Sequence, residues 1–126
     1  MATVALDADV LIGFLYAADA HHHRAVALLA PYLAPGHRVV IGASVYSEVL
    51  VAPFRMGKPE VVEDFLASAR ITLVPVDRAT ARRAAELRAA HRALRLPDAL
   101  ALATALEIPA ELLTLDEDLR QVAARL

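Results

Sequence analysis

The chain has 126 residues, the length of a single domain and enough to bury a core without disulfide or metal staples. It has no cysteine, which excludes a disulfide framework and a thiolate zinc site and fits a reducing compartment. Its formal net charge of −2 excludes a grip on nucleic acid through bulk charge, so such a partner would need a local basic patch or bound metal ions. No apolar run reaches the roughly 18 residues of a membrane helix, and no charged-then-apolar leader opens the chain. The expected location is the cytoplasm, away from any membrane.

Thr3 to Leu6 is a short apolar run with β-branched members and reads as a buried strand ending at Asp7. Asp9 to Ala17 follows as a helix, and Ala20 to Leu33 as another, stopped by Pro35-Gly36. Arg38 to Ile41 is a second buried strand. Ser44 is placed to cap a helix running to about Arg55, with Gly57 just beyond it. Pro59 to Ala69 is helical with proline in its first turn, and Ile71 to Pro75 is a third strand. Asp77 caps a long helix over Arg78 to Leu94. Pro97 opens one running through Leu106, ended by Ile108-Pro109. Glu111 to Leu115 is a fourth strand, and Asp116 caps a last helix. Short buried strands alternating with helices predict one α/β domain with a parallel sheet covered on both faces.

Sites in such sheets form beyond the carboxyl ends of the strands. Two predicted strands run into aspartates, Asp7 and Asp116, so both are expected at one edge. Asp98 opens a helix within Leu96-Pro97-Asp98-Ala99-Leu100, and Glu48 follows the second strand. Crowded carboxylates among apolar residues resist ionisation, and a divalent cation removes the conflict. An all-oxygen donor set without clustered Cys or His points to Mg²⁺, with Mn²⁺ as a substitute. Each acid also has a structural reading: Asp7 opening a loop, Asp116 and Asp98 at helix starts, Glu48 on a solvated face. Their joint placement is what favours a metal centre.

Four segments in order resemble the acidic motifs of the PIN-domain ribonucleases of the VapC toxin type. They are Ala5-Leu6-Asp7-Ala8-Asp9-Val10-Leu11-Ile12, the helix bearing Glu48, Arg95 to Ala105 around Asp98, and Leu112-Leu113-Thr114-Leu115-Asp116-Glu117-Asp118-Leu119. The resemblance spans Asp7 to Leu119. It implies a three-layer α/β/α fold with a parallel sheet of about four or five strands. It also implies a metal-dependent endoribonuclease that hydrolyses RNA with metal-activated water, a cognate antitoxin as partner, and a homodimer. Carried over by position, Asp7, Glu48, Asp98 and Asp116 form the acidic centre, with Asp7, Asp98 and Asp116 as metal ligands. Thr114, Asp9 and Asp118 would support them. Position 9 is Asp where the family more often has Asn, Ser or Thr, so Asp9 either reaches the metal or caps its helix. Ile108-Pro109-Ala110 replaces a common glycine turn, and Leu119 a usual aromatic.

Arg88, Arg92 and Arg95 fall within roughly 60° of one another on the predicted helix at about 100° per residue, a stripe expected to hold RNA phosphates. The plainer reading is a solvated face. His21, His22 and His23 are adjacent and cannot all serve one ion. His91 is expected to be packed or partly exposed. The alanine- and leucine-rich helices over 20–33 and 59–69 are candidate partner surfaces, although amphipathic helices usually just face the core. Two other functions compete: a non-catalytic PIN-like binding module, and a phosphatase of the haloacid dehalogenase type, which Asp7-Ala8-Asp9 also resembles. The latter needs a lysine at the nucleophile, and Lys58 is the only one in the chain.

Overall fold

A computed structural model describes all 126 residues. Four strands form one sheet: β1 (Thr3–Leu6), β2 (Arg38–Gly42), β3 (Thr72–Val74) and β4 (Glu111–Leu113). Seven helices connect and follow them: α1 (Ala8–Leu15), α2 (His22–Leu29), α3 (Ala43–Arg55), α4 (Glu60–Ser68), α5 (Arg78–Ala90), α6 (Leu96–Glu107) and α7 (Glu117–Ala124). The strand order is β3-β2-β1-β4 and every pairing is parallel. The chain therefore builds outward from β1 through β2 to β3, then returns to lay β4 on the other side of β1. The reversal between β1 and β4 is the point where open α/β sheets form their crevice.

Alternation along the strands explains the layers. Val4, Leu6, Val39 and Ile41 enter one core with Val10, Leu11, Leu29, Val45, Val49, Val62 and Leu66, from α1 to α4. Ala5 and Val40 face the other way, against Ala105 of α6. Beyond them Ala84 and Leu87 of α5, Leu102 of α6, and Leu119 and Val122 of α7 form a second core. The result is the expected three-layer α/β/α fold. No helix is long and apolar enough to cross a membrane.

Several boundaries differ from the sequence-based ones, each for a physical reason. The helix expected over 20–33 is α2 followed by a 3-10 turn over Ala30–Leu33, because Pro31 lacks the N–H needed to continue an α-helix. Ser44 does not cap α3: Gly42 takes the cap position, and no side chain bonds to the exposed N–H groups there. The long helix expected through Leu94 stops at Ala90, with His91 extended beyond it. A turn then carries Leu94, 1% exposed, into the second core. Strand β4 ends at Leu113, two residues early, so Leu6 pairs with Leu113 and Asp7 lies beside Thr114 rather than Asp116.

Candidate active site

Asp7 is the first residue past β1. Its backbone N–H still donates to Leu113 O at 2.9 Å, extending the ladder by one bond. Its side chain is 6% exposed and caps α1, Oδ1 accepting from Ala8 N–H at 2.9 Å. The other oxygen, Oδ2, accepts from the Thr114 hydroxyl at 2.8 Å. No lysine or arginine forms an ion pair with it. Burial first, then the negative charge of Asp9, pushes Asp7 up to about 7, with Asp98 adding to the rise and Thr114 and Ala8 opposing it.

Thr114 is 2% exposed and organises the crossing from β4 to α7. Its hydroxyl oxygen accepts from Asp116 N–H at 3.1 Å while donating to Asp7. Its carbonyl accepts from the Arg120 guanidinium at 2.9 Å. Asp9, in the first turn of α1, does not cap that helix. It reaches across the β1–β4 junction, both carboxylate oxygens lying 3.2 Å from Leu115 N–H. Asp9 too is raised, mainly by burial and also by Asp116, against the pull of Leu115, Val10 and Thr114.

Asp98 and Glu48 complete the group from two helices. Asp98 is half-buried in the first turn of α6, and Glu48 lies exposed on α3. Glu48 is raised by partial desolvation, then by Asp98, with Arg95 opposing and Asp9 adding to the rise. Arg95 Nε lies 3.8 Å from Asp98 Oδ2, on a side chain 82% exposed. Asp116 caps α7 as expected, Oδ1 accepting from Leu119 N–H at 3.1 Å, and it borders the group through Asp9. Asp118 points to solvent in the first turn of α7.

The donor set suits a hard divalent cation. Asp7, Asp9 and Glu48 are each raised by burial and then by the charge of neighbouring acids, and the one basic neighbour, Arg95, is solvent-exposed. A cation would relieve the repulsion that now resists ionisation. As the side chains stand, no three of them converge on one point, since Asp9 is turned to Leu115 and Asp116 to its own helix.

The arginine stripe does not form. Arg88 lies in the last turn of α5, Arg92 in the turn that follows the helix and Arg95 just before α6, all three exposed, so no single helix aligns them. His22 is spent structurally, its Nδ1 lying 2.8 Å from Gly13 O. Lys58 is exposed in the turn between α3 and α4, where a nucleophile at Asp7 would find no help. Sequence reasoning missed the Leu115 N–H as an anchor for Asp9, because backbone donors carry no sequence signal. It also missed Arg120, whose place four residues after the helix cap was the available clue.

The sequence model of the PIN domain matches residues 4–125. A comparison with curated protein sequences gave no match. Among solved structures, a toxin–antitoxin complex from Klebsiella pneumoniae is similar at TM-score 0.70 and 25% identity, over 90% of this chain and 86% of that one. The Mycobacterium tuberculosis protein VapC20, a sarcin–ricin loop cleaving toxin, is similar at TM-score 0.74 and 19% identity, over 94% of each chain. VapBC2 from Rickettsia felis, bound to a DNA fragment from its promoter, is similar at TM-score 0.72 and 16% identity, over 95% of this chain and 92% of that one.

Proposed function

The chain belongs to the PIN-domain family, and from that premise we propose that it is a Mg²⁺-dependent endoribonuclease, the toxin of a VapBC-type toxin–antitoxin pair. The observation that carries this reading is Asp7: a buried carboxylate without a basic partner, raised by burial and then by its acidic neighbours, at the crevice of an α/β sheet. A carboxylate left in that state lowers the stability of the metal-free fold. Its use in binding a cation explains why it is there.

Asp7 and Asp98 are the proposed principal ligands, with Asp116 contributing the oxygen not used in capping. Bound there, Mg²⁺ or Mn²⁺ would polarise the phosphate and ease deprotonation of the attacking water. The protein's own part is positional. Thr114 fixes the orientation of Asp7, and Asp9 ties the Leu115 turn to the end of β1. Glu48 is the acid free to orient the attacking water, since it is exposed and bonded to nothing. The water oxygen attacks phosphorus, the bond to the leaving ribose oxygen breaks, and that oxygen takes a proton. No 2′-hydroxyl is needed. Arg95, and to a lesser degree Arg92 and Arg88, would contact the RNA backbone. A separately encoded antitoxin and a second copy of the chain are the proposed protein partners. The exposed Val51, Phe54, Met56 and Val61 on and beside α3 and α4 offer an apolar surface for one of them.

The test is cleavage of labelled RNA by the partner-free protein with Mg²⁺ or Mn²⁺, against EDTA and the Asp7→Asn and Asp98→Asn variants. Metal-dependent cleavage lost in both variants is expected. Absence of both cleavage and metal binding would sink the enzymatic reading and leave a PIN-like scaffold.

A further inference from the structure

One buried polar side-chain atom in the molecule has no hydrogen-bond partner, the hydroxyl oxygen of Ser44. It lies in the first turn of α3, just past the carboxyl end of β2. A serine at a helix start normally caps it, but the cap position falls at Gly42, which leaves Ser44 two residues too far in to use its hydroxyl that way. A buried hydroxyl without a partner weakens a fold, and alanine would pack there without that penalty.

Glu48 stands four residues on, so the two share one face of α3. Helical side chains lean toward the N-terminus, so a rotamer change would let the Glu48 carboxylate reach Ser44, although the two are not bonded in the structure. In the present state that carboxylate is exposed and faces the repulsion of Asp98 and Asp9, with Arg95 the one opposing charge. A donor without an acceptor and an acceptor held off by its neighbours therefore lie one turn apart.

We propose that Ser44 is a positioning residue whose hydroxyl holds the Glu48 carboxylate over the acidic centre once a divalent cation has offset the charge of Asp7, Asp9 and Asp98. The inference rests on the metal-dependent reading above. It assigns Ser44 a role distinct from helix capping.

The test is thermal denaturation of the wild type and Ser44→Ala, each in EDTA and in a Mg²⁺ titration, followed by RNA cleavage kinetics. In EDTA the variant is expected to melt at the wild-type temperature or above it. With Mg²⁺ its stabilisation should shrink to half or less. At saturating Mg²⁺ its kcat should fall about tenfold with KM for RNA unchanged. In a Glu48→Ala background, Ser44→Ala should add nothing further. A lower melting temperature in EDTA with an unchanged Mg²⁺ response would make the hydroxyl purely structural and overturn the proposal, as would additive effects of the two substitutions. A wild type that Mg²⁺ does not stabilise would overturn the metal reading itself, and this proposal with it. A wild-type response matched by the variant would overturn the role of Ser44 alone.

Discussion

Thr114 does more at this site than its type suggests. One hydroxyl donates to Asp7 and accepts from the backbone of Asp116, joining the end of β1 to the start of α7. Thr114→Val keeps the shape but removes both bonds and should destabilise the protein by about 1–3 kcal/mol. It should also move a titration. The Thr114 hydrogen bond opposes the rise of Asp7 above the ordinary carboxylate range, so without it Asp7 climbs further. If activity needs ionised Asp7, the acid limb of the pH–rate profile moves to higher pH in Thr114→Val and stays in place in Thr114→Ser. An unmoved acid limb in the valine variant would show that Asp7 does not control it. Asp7→Asn gives a second, opposite pair of effects. A neutral amide removes the buried charge, so the metal-free protein should melt higher above neutral pH, while cleavage falls at least about a hundredfold. A variant that keeps cleavage would remove Asp7 from the centre.

The elements set how far apart these residues stand, and α6 is the one that decides it. It lies directly on the sheet because Ala5 and Ala105 are small and because Gly42 has no side chain. A Cβ at Gly42 would come within 2.8 Å of Thr104 Oγ1, a group already bonded to Leu100 O. Gly42→Ala should therefore push α6 from the start of α3, separating Asp98 from Glu48, and destabilise by about 1–3 kcal/mol. Thr104→Ala, which removes the obstructing atoms, should restore most of the loss in the double variant, as read by denaturant unfolding; no rescue would place the strain elsewhere. Much of this scaffold was legible in sequence. The continuous apolar runs Val4-Ala5-Leu6 and Val39-Val40-Ile41 identified strands buried on both faces, and Asp77 and Asp116 marked helix starts where they occur. The end of α5 was not legible, since Ala89 to Leu96 contains no glycine or proline and only the burial of Leu94 turns the chain there. The arginine stripe failed for that reason. With the helix broken, Arg95 beside Asp98 is expected to account for most of the cationic contact. Arg95→Gln should reduce the salt slope of RNA binding by about 0.7, the value of one phosphate contact on a single strand, and Arg88→Gln should reduce it by less. Equal slopes for the two variants would return both to the solvated surface.

For the molecule as a whole, the strand order gathers Asp7, Asp9, Asp98 and Glu48 at one edge, where burial and neighbouring negative charge make Asp7, Asp9 and Glu48 harder to ionise. That arrangement fixes the sign of the stability curve. Asp7 has a folded value of about 7 against 3.8 for the ordinary carboxylate. Between those values the folded chain holds a proton that the unfolded chain has released, so stability falls as pH rises through that window. Asp9 and Glu48, also raised, act in the same direction. Asp77 is lowered by its bonds to Thr80 and acts oppositely, its contribution being lost as pH falls through the acid range. The metal-free protein should therefore be most stable on the acid side of neutrality, with Asp7 alone accounting for up to about 4 kcal/mol across the window. A cation competes with protons for the same carboxylates, so Mg²⁺ should stabilise strongly near pH 8 and hardly at all near pH 5. Melting curves across that range, with EDTA or Mg²⁺, test both halves of the argument. A sloping EDTA series flattened by Mg²⁺ would identify the acidic edge as the metal site, and Asp7→Asn should flatten most of the slope without metal. An EDTA series that does not slope would mean that solvent or a neighbouring cation already neutralises the cluster, and that the buried charge exerts no pull toward metal.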